Sequence, residues 1–93
     1  MTDKVDLASL TVEQVQSWLI EKIAWKLQVE TTEISISDFF DSFGLDSTEA
    51  LVLANELESW LGFELETTAL WYHPTIDELA RYIVSAKDRL AAI

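Results

Sequence analysis

The stretch Thr11–Gln28, TVEQVQSWLIEKIAWKLQ, decides the fold. Val12, Val15, Leu19, Ile23 and Leu27 recur at three- and four-residue spacing, which gathers them into the one stripe that a packed helix buries. Thr11 followed three residues later by Gln14 fits a capping box, in which each side chain satisfies a backbone N–H of the other. Trp18 and Trp25 stand seven apart and, at roughly 100° per residue, fall near the opposite side of the same helix. A helix over 11–28 is therefore expected to bury one face and to leave two large rings in need of cover.

Working outward, residues 29–45 carry Ile34, Ile36, Phe39, Phe40, Phe43 and Leu45, too much apolar surface for a loop in water. This long connection is expected to lie across the bundle, with Phe39, Phe40 or Ile34 covering at least one of the two tryptophans. A second helix is expected over 46–61, its inner face made of Ala50, Leu51, Ala54, Leu57 and Leu61. Gly62 follows it, where a left-handed glycine ends helices. A short helical turn over 67–72 stops before Pro74. A last helix over 75–87 opens on Thr75-Ile76-Asp77-Glu78, again a capping box, and turns Ile76, Leu79, Ala80 and Ile83 inward, fraying after Val84. No alternating strand pattern competes. The expected fold is all-α, one domain of three main helices and one short one.

Charge narrows the function classes. Six Lys and Arg stand against seventeen Asp and Glu, a net charge of −11, and no base lies between Leu27 and Ala80, where twelve of the acids sit. Such a surface repels nucleic acid and anionic lipid; it either attracts a basic protein partner or does no more than keep a small protein soluble. With 49% apolar residues the chain is too hydrophobic for a disordered acidic tail. Its apolar runs are too short to span a bilayer. The start, Met1-Thr2-Asp3-Lys4-Val5-Asp6, has neither the basic region nor the apolar stretch of a signal peptide, so a cytoplasmic protein is expected, and a monomer, whether it stands alone or belongs to a larger synthase. Without cysteine there is no disulfide and no thiolate metal site.

Catalytic patterns are missing as well. His73, the one histidine, has no neighbours at ligand spacing and reads as a loop or packing residue; no metal is expected. Leu45-Asp46-Ser47-Thr48-Glu49 is not the G-x-S-x-G elbow of a hydrolase, and two glycines make no phosphate loop. What remains is Gly44-Leu45-Asp46-Ser47 running into an acidic helix. A serine there caps free N–H groups in the ordinary way. The same position also suits a covalent phosphodiester, since a helix start favours an anion.

Phe43-Gly44-Leu45-Asp46-Ser47 resembles the attachment motif of acyl carrier proteins, particularly those of polyketide synthases. Leu57-Glu58-Ser59-Trp60-Leu61-Gly62 is similar to that family's second-helix end, and His73-Pro74-Thr75-Ile76-Asp77-Glu78-Leu79-Ala80 to the beginning of its last helix. Trp18-Leu19-Ile20 and Ile23-Ala24 fit its first helix, so the resemblance runs in order from about Val12 to Val84. It implies that Ser47 receives 4′-phosphopantetheine from coenzyme A by a separate phosphopantetheinyl transferase. The arm's thiol then carries an acyl thioester in polyketide or fatty acid biosynthesis, and the chain is no enzyme. It further implies that Asp46 is read by the transferase. Glu49 and Glu56 would face basic docking patches of a loading ligase or acyltransferase and of synthase or modifying enzymes. Thr48 departs from the leucine usual after the serine, which alters the partner-facing rim. Asp41-Ser42 is a second Asp-Ser pair, but Gly44 follows too closely for an early helix residue, which leaves Ser42 as the control. Two other readings stand beside this one. One is an aminoacyl or peptidyl carrier, whose motif is often Gly-Gly-Asp-Ser; the other is an acidic interaction bundle without cofactor.

Overall fold

The computed structural model describes residues 6–65 and 69–91. Helix α1 runs Val12–Leu27, α2 Ser47–Leu61, α3 Ala69–Tyr72 and α4 Ile76–Ala91, after a 3₁₀ turn at Leu7–Ser9. Among the described residues there is no strand, only one isolated bridge between Phe39 and Thr75.

Helix α1 begins as its sequence dictates. The Thr11 hydroxyl accepts from the Gln14 N–H at 3.2 Å, and the Gln14 side chain accepts from the Thr11 N–H at 2.9 Å. Val15, Leu19 and Ile23 are fully enclosed, with Val12 and Leu27 half-buried at the ends of the stripe. Gln28 ends the helix in the left-handed conformation at φ 61°, a place that glycine takes more cheaply. Against the stripe packs α4, whose Ile76, Leu79, Ala80 and Ile83 all lie at 0% exposure. The Gln16 amide also donates to Asp77 at 2.9 Å across the seam.

Three expectations are corrected here. First, the inner face of α2 is Leu53, Leu57 and Leu61, while Leu51 is 57% exposed and Ala50 and Ala54 are half-buried. At roughly 100° per residue, Leu53 and Leu61 fall on either side of Leu57, and Leu51 lies about 120° away from it. Second, α4 reaches Ala91 instead of fraying after Val84 or ending at residue 87. No glycine or proline interrupts 76–91, and Arg81 braces the first turns by an i,i+4 pair with Asp77 at 3.1 Å.

Third, the long connection does not shelter the α1 tryptophans. Trp18 stacks on Trp60 of α2, ring centroids 5.2 Å apart and planes 17° apart, with the Lys22 ammonium 5.3 Å from the Trp18 ring. Trp25 stands 76% exposed. Ile34, Phe40 and Leu45 go into the core instead. The connection is held to the start of α4 by the Phe40 N–H donating to Pro74 at 2.8 Å and by the Asp77 N–H donating to Ile36 at 3.0 Å. Those bonds fix where the chain arrives at α2. For the short helix, expected over 67–72, residues 67 and 68 lie outside the described residues, and α3 is seen over Ala69–Tyr72.

Candidate functional site

Two buried side chains, Phe40 and Leu45, bracket the approach to α2. Between them a 3₁₀ turn, Phe40–Phe43, closes when the Gly44 N–H donates to Asp41 at 3.1 Å. Gly44 then takes φ 76°, the left-handed region that an L side chain enters at a cost, although a Cβ there meets nothing within 4 Å. The glycine is thus required by backbone angle, not by crowding. Leu45 anchors the next residue in the core, so the start of α2 is placed at the surface with little freedom.

Asp46 is the N-cap of α2. Its Oδ1 accepts from the Glu49 N–H at 2.8 Å, and the Glu49 Oε1 accepts from the Asp46 N–H at 3.5 Å. Both halves of a capping box are therefore built from two residues that the resemblance gave to partner recognition. Ser47 is the first residue of the helix, not its cap. Asp46, Thr48 and Glu49 are exposed around it. At a helix start the first N–H groups have no intrahelical carbonyl, and here only that of Glu49 is taken by the cap. The positive end of α2 suits the anionic link of a phosphopantetheine arm. The Asp46 and Glu49 carboxylates oppose it, but they are exposed and screened, and a covalent link needs no binding energy. The residues present fit the group.

Glu56 is placed apart from these. Its carboxylate bridges Lys22 and Lys26 of α1, each at 3.2 Å. Partial burial pushes the Glu56 carboxyl up, but the Lys26 and Lys22 ammonium groups outweigh it and hold the carboxyl below the usual glutamate range. The first turn of α2 thus brings Asp46, Ser47, Thr48 and Glu49 together, and Glu56 ties α2 to α1. Ser42 lies exposed in the 3₁₀ turn, away from any long helix start. His73 stacks on Tyr82, centroids 4.4 Å apart, as a packing residue. Among the described residues no group of His, Cys, Asp or Glu is arranged to hold a metal, and no helix is long and apolar enough to cross a membrane.

Beside α2 lies a cavity of about 760 Å³, mostly apolar, with Asp46 at its wall. Phe39, Leu51, Leu53, Leu65 and Trp71 line it, drawn from the connection, α2, the following segment and α3. The Glu58 Oε2 accepts from the Leu65 N–H at 2.7 Å and so pins the segment after α2. Sequence reasoning missed Leu53, Glu58 and Trp71. Leu53 was legible as a position four before Leu57. The other two have no local signal, because their partners are remote.

With this geometry in place, comparison with known proteins gives a consistent result. The family model described as a phosphopantetheine attachment site matches residues 17–83. The acyl carrier protein TtuC of Teredinibacter turnerae is 31% identical over 77 residues, covering 83% of this chain and 88% of that one. A phenolphthiocerol/phthiocerol polyketide synthase of Mycobacterium tuberculosis is 34% identical over 70 residues, 75% of this chain but only 4% of the synthase polypeptide. Among solved structures, the acyl carrier protein Asl1650 of Anabaena, which has a variant phosphopantetheinylation-site sequence, superposes with a TM-score of 0.81 at 34% identity over 94% of this chain and 97% of its own. A free-standing peptidyl carrier protein of Acinetobacter baumannii gives 0.74 at 37% identity over 81% and 94%.

Proposed function

The chain belongs to the phosphopantetheine-attachment family, whose members carry covalently bound cargo and are not themselves catalysts, and from that premise we propose that it is an acyl carrier with Ser47 as its attachment residue. The observation that carries the assignment is the place of Ser47 as first residue of α2, between the capping Asp46 and the exposed Thr48. When attached, the 4′-phosphopantetheine arm supplies a terminal thiol that bears an acyl group as a thioester.

The chain's own residues do the positioning. Phe40 and Leu45 hold the approach to α2 in the core, Gly44 makes the turn, and the Asp46–Glu49 box fixes the backbone on either side of Ser47. Carriers of this kind work with synthetase and transferase partners. For this chain we place partner recognition at Asp46, Thr48 and Glu49, whose exposure in a first helical turn that carries no base of its own steers a basic docking patch and speeds encounter. Glu56 contributes from its position between two lysines, by holding α2 against α1. The high net negative charge opposes self-association and favours a monomer.

The acyl reading is supported by the Leu45 of Gly44-Leu45-Asp46-Ser47 and by likeness to two named acyl carriers. An aminoacyl cargo is the second reading, favoured by the 37% identity to a peptidyl carrier. Incubation with coenzyme A and a broad-specificity phosphopantetheinyl transferase is expected to add one arm to the intact mass. Ser47→Ala abolishes the gain and Ser42→Ala keeps it. Loss of modification in folded Ser42→Ala alone refutes the assignment. Loading of the modified chain by an adenylating amino-acid ligase, and not by an acyl ligase, favours the second reading.

A further inference from the structure

Where α1 meets the end of α2, Trp18 and Trp60 form a depression of about 420 Å³ with Glu13, Gln14, Ser17 and Glu21. The two rings stack with centroids 5.2 Å apart and are half-buried, so their rotamers are fixed and an indole face is held ready at little ordering cost. At roughly 100° per residue, Glu13, Ser17 and Glu21 fall to one side of Trp18 on α1, and Lys22 and Lys26 to the other. Lys22 shows that this indole draws a cation. Its ammonium stands 5.3 Å from the Trp18 ring while bonded to Glu56, and it does not line the depression. On the acid side, neither Glu13 nor Glu21 is paired with a base among the described residues. An indole face beside two unpaired carboxylates suits a planar cation, which stacks on the ring while its N–H groups donate to the acids. An anion is repelled there, and a purely apolar group would strip water from the carboxylates without replacing it.

We propose that this depression seats an arginine side chain of a partner protein, at the end of α2 opposite Ser47. The length of α2 separates Trp60 from Ser47 by about 20 Å, at about 1.5 Å per residue. A partner held there is anchored while the attachment end stays open to other enzymes. The site uses neither the arm nor the cavity beside α2, so it stands whether or not Ser47 is modified. A second copy of the chain is a poor source of the arginine, because a net charge of −11 opposes association.

The full chain, labelled with nitrogen-15, gives one indole N–H signal for each of its four tryptophans, and Trp25 and Trp71, which do not line the depression, act as internal controls. Titration with N-acetyl-argininamide is expected to move the Trp18 and Trp60 signals at a half-saturation about tenfold lower than those of Trp25 and Trp71. N-acetyl-lysinamide, of equal charge but without the planar fork, is expected to bind several-fold more weakly. Glu13→Gln with Glu21→Gln should raise the half-saturation roughly threefold, while Asp38→Asn, exposed and outside the depression, should leave it unchanged. Both glutamates are exposed, so circular dichroism should show the double variant folded. Equal movement of all four indoles, or an unchanged half-saturation in the double variant, overturns the proposal. Tighter binding of free arginine than of the blocked form also overturns it, since the site then takes a small molecule and not a protein side chain. So does a doubled mass in light scattering that the double variant loses, since a second copy then fills the depression.

Discussion

Replacing Glu56 by glutamine tests whether the lysine clamp between α1 and α2 outweighs the repulsion of a chain with net charge −11. Two ion pairs, each at 3.2 Å and partly exposed, are worth about 0.5 kcal/mol apiece, so the clamp contributes about 1 kcal/mol. Against this, one carboxylate repels another about 10 Å away by about 0.4 kcal/mol in water, and screening at about 0.15 M salt reduces that to roughly 0.1 kcal/mol. Several such neighbours offset only part of the clamp. The Lys26 side chain, at 18% exposure, is also left facing an uncharged amide. Glu56→Gln is therefore expected to lose about 0.5–1 kcal/mol, a fall of about 2–8 °C in Tm for a domain of this size. Thermal unfolding followed by circular dichroism reads it directly. The acid limb supplies the sign. The folded Glu56 carboxyl is held below its unfolded value, so its contribution is complete above about pH 4.3 and disappears as pH falls through the folded value. The two proteins should converge in that acid range, and also at about 1 M salt. An unchanged or raised Tm for Glu56→Gln at neutral pH and moderate salt refutes the clamp.

Three further outcomes follow from the packing. Leu53→Ala, at 1% exposure, should cost about 2–5 kcal/mol, while Leu51→Ala should stay within about 0.5 kcal/mol; the reverse order in chemical denaturation would put α2 in the wrong rotation. Gly44→Ala should cost about 1–2 kcal/mol through its φ of 76°, with Gly44→Asn less harmful, and equal losses would point to crowding that the open surroundings do not provide. Trp60→Ala strips the stack from Trp18 and should lower Tm clearly, whereas Trp25→Ala should barely move it; a large loss for Trp25→Ala would mean that its ring is covered.

Features set by residues within about four positions of one another were legible without coordinates. The α1 stripe, the Thr11–Gln14 box and the glycine stop at Gly62 all depend on short-range spacing and backbone angle. So does the position of Ser47 at the start of α2, although the cap proved to be Asp46. The resemblance carried by Gly44-Leu45-Asp46-Ser47 and the blocks around it already implied a phosphopantetheine carrier. What neighbours decide was not legible. Whether Leu51 or Leu53 faces inward depends on the rotation of α2, which the packing of the bundle sets and the apolar count of the helix does not. Trp18 found Trp60 instead of the connection because Ile34 and Phe40 bury themselves in the core and backbone bonds tie the connection to the start of α4. Glu56 reads as a free acid in the sequence and is claimed by two lysines some thirty residues upstream. The cavity of Phe39, Leu51 and Trp71 likewise exists only where three elements meet. Each is a contact between segments remote along the chain, and only the tertiary structure brings such segments together.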